Sequence, residues 1–191
     1  MLFRSDGWRQ PGSAFKPFNY VTGIDARTLT ASSMLMDVVT DFGRGYTPSD
    51  FDGYERGPLR LRLALQQSLN IPSVKALLWT GMDRVFAMSQ AMGMRFLEQA
   101  PPGPSMALGT LEVHPLDLVT SYATLANGGR YLGHAAILSV KDVNGTDVIP
   151  PYEVPDGTQT VSAAAASIVT DILAGNTDPA ENPIWGQMRI M

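Results

Sequence analysis

Arg9-Gln10-Pro11-Gly12-Ser13-Ala14-Phe15-Lys16-Pro17-Phe18 places a serine and a lysine three residues apart at the start of a predicted helix. That spacing is close to one helical turn, so the two side chains share nearly one face. A serine hydroxyl is a weak nucleophile until a neighbouring base takes its proton, and a desolvated lysine can be that base. Pro11-Gly12 marks a sharp entry, while Phe15 and Phe18 supply apolar surface that disfavours the charged form of Lys16. Ser13 also lies near unpaired backbone N–H groups and the positive end of the helix dipole. Pro17 is compatible with the helix because it falls in the first turn. The Ser-x-x-Lys pattern alone arises about once by chance in a chain of this length, so its flanks carry the weight.

The chain has 191 residues, 45% of them apolar and only 17% charged, which suits one domain with a sizeable core or a piece with extra apolar surface. A net charge of -4 sets aside a basic nucleic-acid footprint. There is no cysteine, which excludes disulfides, thiol chemistry and the usual structural zinc ligands. The histidines are His114 and His134, and neither has an i+4 partner, so no metal site is expected. His114 precedes Pro115 at a helix entry, where it is expected to cap or pack. Nothing around either histidine suggests a Ser-His-Asp triad. No apolar run reaches the ~18 residues of a transmembrane helix, and the first residues lack the apolar core of a signal peptide.

Residues 41–58, rich in Gly, Pro, Asp and aromatics, read as a structured loop. Residues 59–69 alternate like a strand at first, yet Leu61, Leu65 and Leu69 recur every four like a helix. Ala64 and the two glutamines favour helix. Its end is expected at Asn70-Ile71-Pro72. Further helices are expected over 73–80, closed by Gly81, and over 83–92, ended by Gly93. A Pro/Gly turn covers 101–105. Pro115 opens a helix with an apolar stripe of Leu116, Val119, Tyr122, Ala123 and Ala126, stopped by Asn127-Gly128-Gly129. Asn144-Gly145 joins two β-prone runs, 136–143 and 146–149, into an expected hairpin. A last helix spans 161–174 with Ser162 as its cap and Gly175 after its end.

Ser68-Leu69-Asn70 falls between the two central helices. Ser and Asn favour helix ends and turns for structural reasons alone. The same turn can also present a hydroxyl and an amide to a cleft: the hydroxyl as proton relay, the amide as a contact for a peptide and for Lys16.

Ser-x-x-Lys followed by Ser-x-Asn resembles the active-site serine family of penicillin-binding proteins and β-lactamases. Residues 9–18 look like the nucleophile segment of class A penicillin-binding proteins, the bifunctional peptidoglycan synthases. Tyr46-Thr47-Pro48 with Phe51-Asp52-Gly53 resembles the loop before their second motif, and residues 64–75 resemble that motif with its flanks. Met106-Ala107-Leu108-Gly109, Glu112-Val113 and Pro115-Leu116-Asp117-Leu118 continue the likeness, as does the stretch from Tyr122 to Gly129. It covers roughly residues 9–175.

The resemblance implies an α/β transpeptidase fold, here incomplete: mostly the helical region plus a β-hairpin, with residues 1–191 forming part of one domain. Ser13 would be the acylated nucleophile, Lys16 its base, Ser68 the proton relay and Asn70 a substrate contact. The implied partners are peptidoglycan stem peptides and β-lactams, with no metal or organic cofactor. The implied place is the extracytoplasmic face of a bacterial membrane, in a parent protein with an anchor and a glycosyltransferase domain. The family's third motif, Lys-Thr/Ser-Gly, is absent: Lys16, Lys75 and Lys141 precede Pro17, Ala76 and Asp142. Its strand would follow the region of Ile184-Trp185-Gly186. The chain is therefore expected to be an internal piece, with impaired activity and with poor stability or self-association on its own. The alternatives are a non-catalytic remnant of the same fold and a serine β-lactamase, for which no deacylating glutamate motif is identifiable.

Overall fold

The computed structural model describes residues 7–101 and 103–182. Ile184-Trp185-Gly186 lies outside them. A 3-10 turn over Gly12–Phe15 runs directly into helix α1, Lys16–Asp25, with Pro17 in its first turn as expected. Every residue of α1 from Lys16 to Ile24 is buried. A helix buried on all sides is a core helix, not a surface one. It packs against α3 (Asn70–Thr80), α4 (Met82–Ala91) and α6 (Ala163–Ala174). Phe15, Phe18, Val21, Val74, Leu77, Val85, Val169 and Ile172 belong to one apolar cluster.

Strands occur as three two-stranded antiparallel ladders among the described residues. β1 (Met34–Asp37) pairs with β2 (Gly57–Arg60), setting Met34 opposite Arg60 and Asp37 opposite Gly57. β3 (Arg130–Tyr131) pairs with β6 (Thr158–Gln159). β4 (Val140–Lys141) and β5 (Asp147–Ile149) form the expected hairpin, shorter than its β-prone runs. Its turn is tied by Asp142, whose Oδ1 accepts from the N–H groups of Asn144 and Thr146. The loop expected over 41–58 holds no regular element until β2 begins at Gly57.

Three expectations need correction. The helix assigned to 59–69 begins only at Leu61: α2 is Leu61–Gln66, and the alternating start belongs to β2. α3 begins at Asn70, three residues before the expected start, because Pro72 lies in its first turn, where an N–H would have no helical partner anyway. Helix α5 (Pro115–Ala126) has the expected bounds but turns the other face inward. Asp117, Thr120, Ser121, Thr124 and Leu125 are buried, whereas Leu116, Val119, Ala123 and Ala126 are exposed. Burying that polar face is tolerable because each group is bonded. The hydroxyls of Thr120, Ser121 and Thr124 donate to carbonyls one turn back, at 2.8, 2.9 and 3.0 Å. Asp117 accepts from the Arg95 guanidinium at 2.8 and 3.1 Å. The outward Leu116 and Val119 leave an apolar stripe in contact with solvent.

Candidate active site

The turn that carries Ser13 is fixed from two sides. Gly12 has φ +57°, and its N–H donates to the Gly109 carbonyl at 3.1 Å. A Cβ on Gly109 would stand 2.1 Å from the Gly12 oxygen, so only glycine permits this approach. From α5, the Tyr122 hydroxyl donates to the Ala14 carbonyl at 2.8 Å, and its ring meets Phe18 edge-on at 5.0 Å between centroids. Ser13 itself is exposed, while Phe15, Lys16 and Phe18 are buried. The chain thus presents a hydroxyl to solvent one turn from an amine that is 1% exposed.

Lys16 reaches across to the turn between α2 and α3. Its Nζ donates to the Ser68 carbonyl at 2.5 Å, to Asn70 Oδ1 at 2.7 Å and to Ser68 Oγ at 3.3 Å. Three acceptors match the three donors of an ammonium group. Burial opposes that charge and lowers Lys16 to about 8 from its ordinary 10.5, against the pull of the Asp50 carboxylate. Among the described residues the Ser13 hydroxyl makes no side-chain hydrogen bond, and Lys16 bonds to Ser68 and Asn70 instead.

Ser68 occupies an unusual backbone position, with φ +57°. α2 ends in a Schellman arrangement: the Ser68 N–H donates to Leu65 and the Leu69 N–H to Ala64, each at 3.0 Å. The left-handed residue of such an ending is ordinarily glycine, and another residue there costs roughly 1–2 kcal/mol. A strained non-glycine residue beside a buried lysine points to a use for its side chain. Ser68→Gly is expected to stabilise the fold by up to about 1 kcal/mol, because glycine removes the strain and returns part of the gain as unfolded-chain entropy. Urea denaturation checks this, and a loss of stability would sink the account of Ser68.

The loop between β1 and β2 closes the far side. The Asn70 side-chain N–H donates to the Ser49 carbonyl at 2.8 Å, which turns its Oδ1 toward Lys16. The Asn70 backbone N–H donates to Asp50 Oδ1. Asp50 and Asp37 are both buried, at 5% and 0% exposure, and one oxygen of each has no donor. Burial and the neighbouring Asp50 raise Asp37 to about 6, only partly offset by the Arg56 backbone N–H. Sequence rules assign no role to Asp37 or Asp50, because no motif spacing links them. They meet only when the loop folds back.

Folded Asp37 keeps its proton to about pH 6, whereas the unfolded side chain releases it near 3.8. Between those values the folded chain binds more protons, so stability falls as the pH rises. Urea midpoints at pH 5 and 7 should therefore drop in the wild type relative to Asp37→Asn. Parallel midpoints in the two proteins would contradict this. His114, the other expected helix-entry residue, packs rather than caps: its ring lies 3.9 Å from that of Trp8, with no side-chain bond to the α5 N-terminus. Among the described residues no cluster of acidic or histidine side chains could hold a metal ion, and no helix is long and apolar enough to cross a membrane.

Comparison with known proteins places the chain in a family over most of its length. A family model for the penicillin binding protein transpeptidase domain matches residues 5–183. Penicillin-binding protein 2D of Bacillus subtilis (strain 168) is 33% identical over 177 residues, covering 89% of this chain and 25% of the relative. Penicillin-binding protein 1B of Vibrio cholerae is 34% identical over 168 residues, covering 85% of this chain and 21% of the relative. The chain thus spans a quarter or less of the length of these two relatives. Among solved structures, penicillin-binding protein A from M. tuberculosis, as an imipenem acyl-enzyme complex, superposes with a TM-score of 0.79 at 20% identity. That match covers 90% of this chain and 44% of the other.

Proposed function

This chain belongs to the penicillin-binding protein transpeptidase domain family, and on that premise we propose that Ser13 is an acyl acceptor for D-Ala-D-Ala stem peptides and β-lactams. The observation that carries the reading is Lys16: a buried amine, brought near neutrality, held by Ser68 and Asn70 one turn from an exposed hydroxyl. A neutral Lys16 has two N–H donors and a lone pair. It can keep its two short bonds, to the Ser68 carbonyl and Asn70, and give up the 3.3 Å contact with Ser68 Oγ, which leaves its lone pair free to accept a proton.

Ser13 Oγ attacks the carbonyl of the D-Ala-D-Ala bond while its proton passes to Lys16. The tetrahedral intermediate collapses and the C–N bond breaks. The proton moves from Lys16 through the Ser68 hydroxyl to the departing amine of D-alanine. An amine from a second stem peptide then takes the acyl group and restores Ser13, which cross-links the wall. A β-lactam enters by the same attack on its ring carbonyl, but its amine stays tethered. The acyl-enzyme state of the M. tuberculosis protein supports this reading by analogy of fold. The parent protein would act at the extracytoplasmic face of the membrane, where its stem-peptide substrate lies, with an anchor and a glycosyltransferase domain.

The test is incubation of the chain with a fluorescent penicillin, followed by intact-mass measurement. One equivalent of covalent adduct is expected. A folded chain that stays unmodified would favour the second reading, a non-catalytic module, which draws on the exposed and unbonded Ser13 hydroxyl.

A further inference from the structure

We propose that Asp50 is a positioning residue for Lys16: its carboxylate fixes the first turn of α3, so that Asn70 and Ser68 face the amine. The inference rests on the reading of Lys16 as the base of the acyl transfer.

The geometry comes from one buried side chain. Asp50 is 5% exposed, and its Oδ1 accepts the N–H of Asn70, the residue that opens α3. Helix starts leave such N–H groups unpaired, and no side chain of the flanking Leu69 caps this one. The cap is supplied instead from 20 residues upstream. Ser49 next to it accepts from the Asn70 side chain, so two adjacent loop residues set both the backbone and the amide of Asn70. That orientation sends Asn70 Oδ1 to Lys16 Nζ at 2.7 Å.

The charge acts on the same atom. Asp50 is the carboxylate that favours the protonated form of Lys16, against the larger effect of burial. The groups gathered around Asp50 are Lys16 and Tyr20 from α1, Asp37 from β1 and Arg56 from the loop before β2. Lys75 from α3 adds its charge on the Asp37 side, with its Nζ on the Met36 carbonyl at 2.6 Å. Tyr20 is pushed up by burial, so it remains neutral at working pH. Asp50 is therefore a charge that acts on Lys16 from across the site. The resulting balance keeps the amine protonated at rest yet able to lose its proton when substrate arrives.

Asp50→Asn separates charge from shape. The amide oxygen can still accept from Asn70, and its NH2 can donate to the neighbouring Asp37 carboxyl. The chain has only three lysines, Lys16, Lys75 and Lys141, so 13C-labelled lysine side chains can be followed singly through a pH titration. In Asp50→Asn the Lys16 titration is expected to move down by roughly half a pH unit or more, with the Lys141 signal unchanged between the proteins. Thermal stability should stay close to wild type, a combination that a merely structural role would not produce. Asp50→Ala, which also loses the cap, should acylate at least about tenfold more slowly with penicillin. If Asp50→Asn does not fold, Asp50→Ser, another neutral acceptor, is titrated in the same way.

An unmoved Lys16 titration in a folded neutral variant overturns the proposal. The titration needs no acylation. A chain whose Lys16 responds to Asp50 but which takes up no penicillin fails the functional reading alone, and a chain that is labelled but whose Lys16 ignores Asp50 fails this inference alone.

Discussion

Ser13→Ala should abolish covalent labelling by a fluorescent penicillin while leaving the fold unchanged. The effect on labelling is all-or-none because, among the described residues, no other hydroxyl combines exposure with a buried amine one turn away. Ser68, the other hydroxyl beside Lys16, is half-buried and held in the left-handed turn that ends α2. The effect on stability should be small because Ser13 is exposed and its hydroxyl has no side-chain hydrogen bond among the described residues. Surface changes of this kind fall within about 0.5 kcal/mol. The measurement is intact mass after penicillin treatment, paired with a urea melt of each protein. Stoichiometric adduct on the alanine variant would move the acylation elsewhere and remove the basis of the proposed function.

Lys16→Met should be nearly as damaging to acylation, with a different signature in stability. Methionine fills much of the same volume but offers no base. General-base assistance is worth about 10²–10⁴ in rate, and a loss of that size is expected in the second-order rate constant for penicillin. In the wild type, the folded chain releases the Lys16 proton near pH 8, while the unfolded chain holds it to 10.5. Between those values the unfolded state binds more protons, so stability rises with pH. Lys16→Met should lack that rise, because nothing titrates at the position. Substitution also strips the donor from the Ser68 carbonyl and Asn70 Oδ1, which returns some of the cost saved by not burying an amine. Stopped-flow acylation across pH 6–10 and urea melts over the same range measure both effects. An acylation rate within tenfold of wild type would rule Lys16 out as the base.

The parts of the site carried by local rules were legible in the chain. Pro17 in a first turn, Ser162 accepting from the Ala165 N–H and the Asn144-Gly145 turn all stand where their chemistry puts them. Ser13 and Lys16 on one short segment, and Ser68 beside Asn70 on another, were recognisable by order and spacing. The misread elements were those in which two local signals compete. Residues 59–69 carry both a strand and a helix pattern, and the chain uses each in turn, β2 and then α2. On α5 the amphipathic pattern was real but its inner face was wrong. Hydroxyls bonded within the helix, together with the Asp117–Arg95 pair, made the polar face the one that buries cheaply.

By itself, the sequence determined which groups are on offer to the proposed chemistry: a hydroxyl, an amine, a second hydroxyl and an amide, in family order. Side-chain identity is a covalent property and needs no fold to exist. Only the tertiary structure decided the state of those groups. Lys16 and Asn70 are 54 residues apart in the chain, and their contact exists because α3 packs along α1. The lowered basicity of Lys16 follows from burial among residues drawn from both helices, and Asp50 reaches Asn70 only because the loop folds back over the start of α3. Desolvation and Coulomb attraction depend on distance in space, and distance in space is what folding fixes.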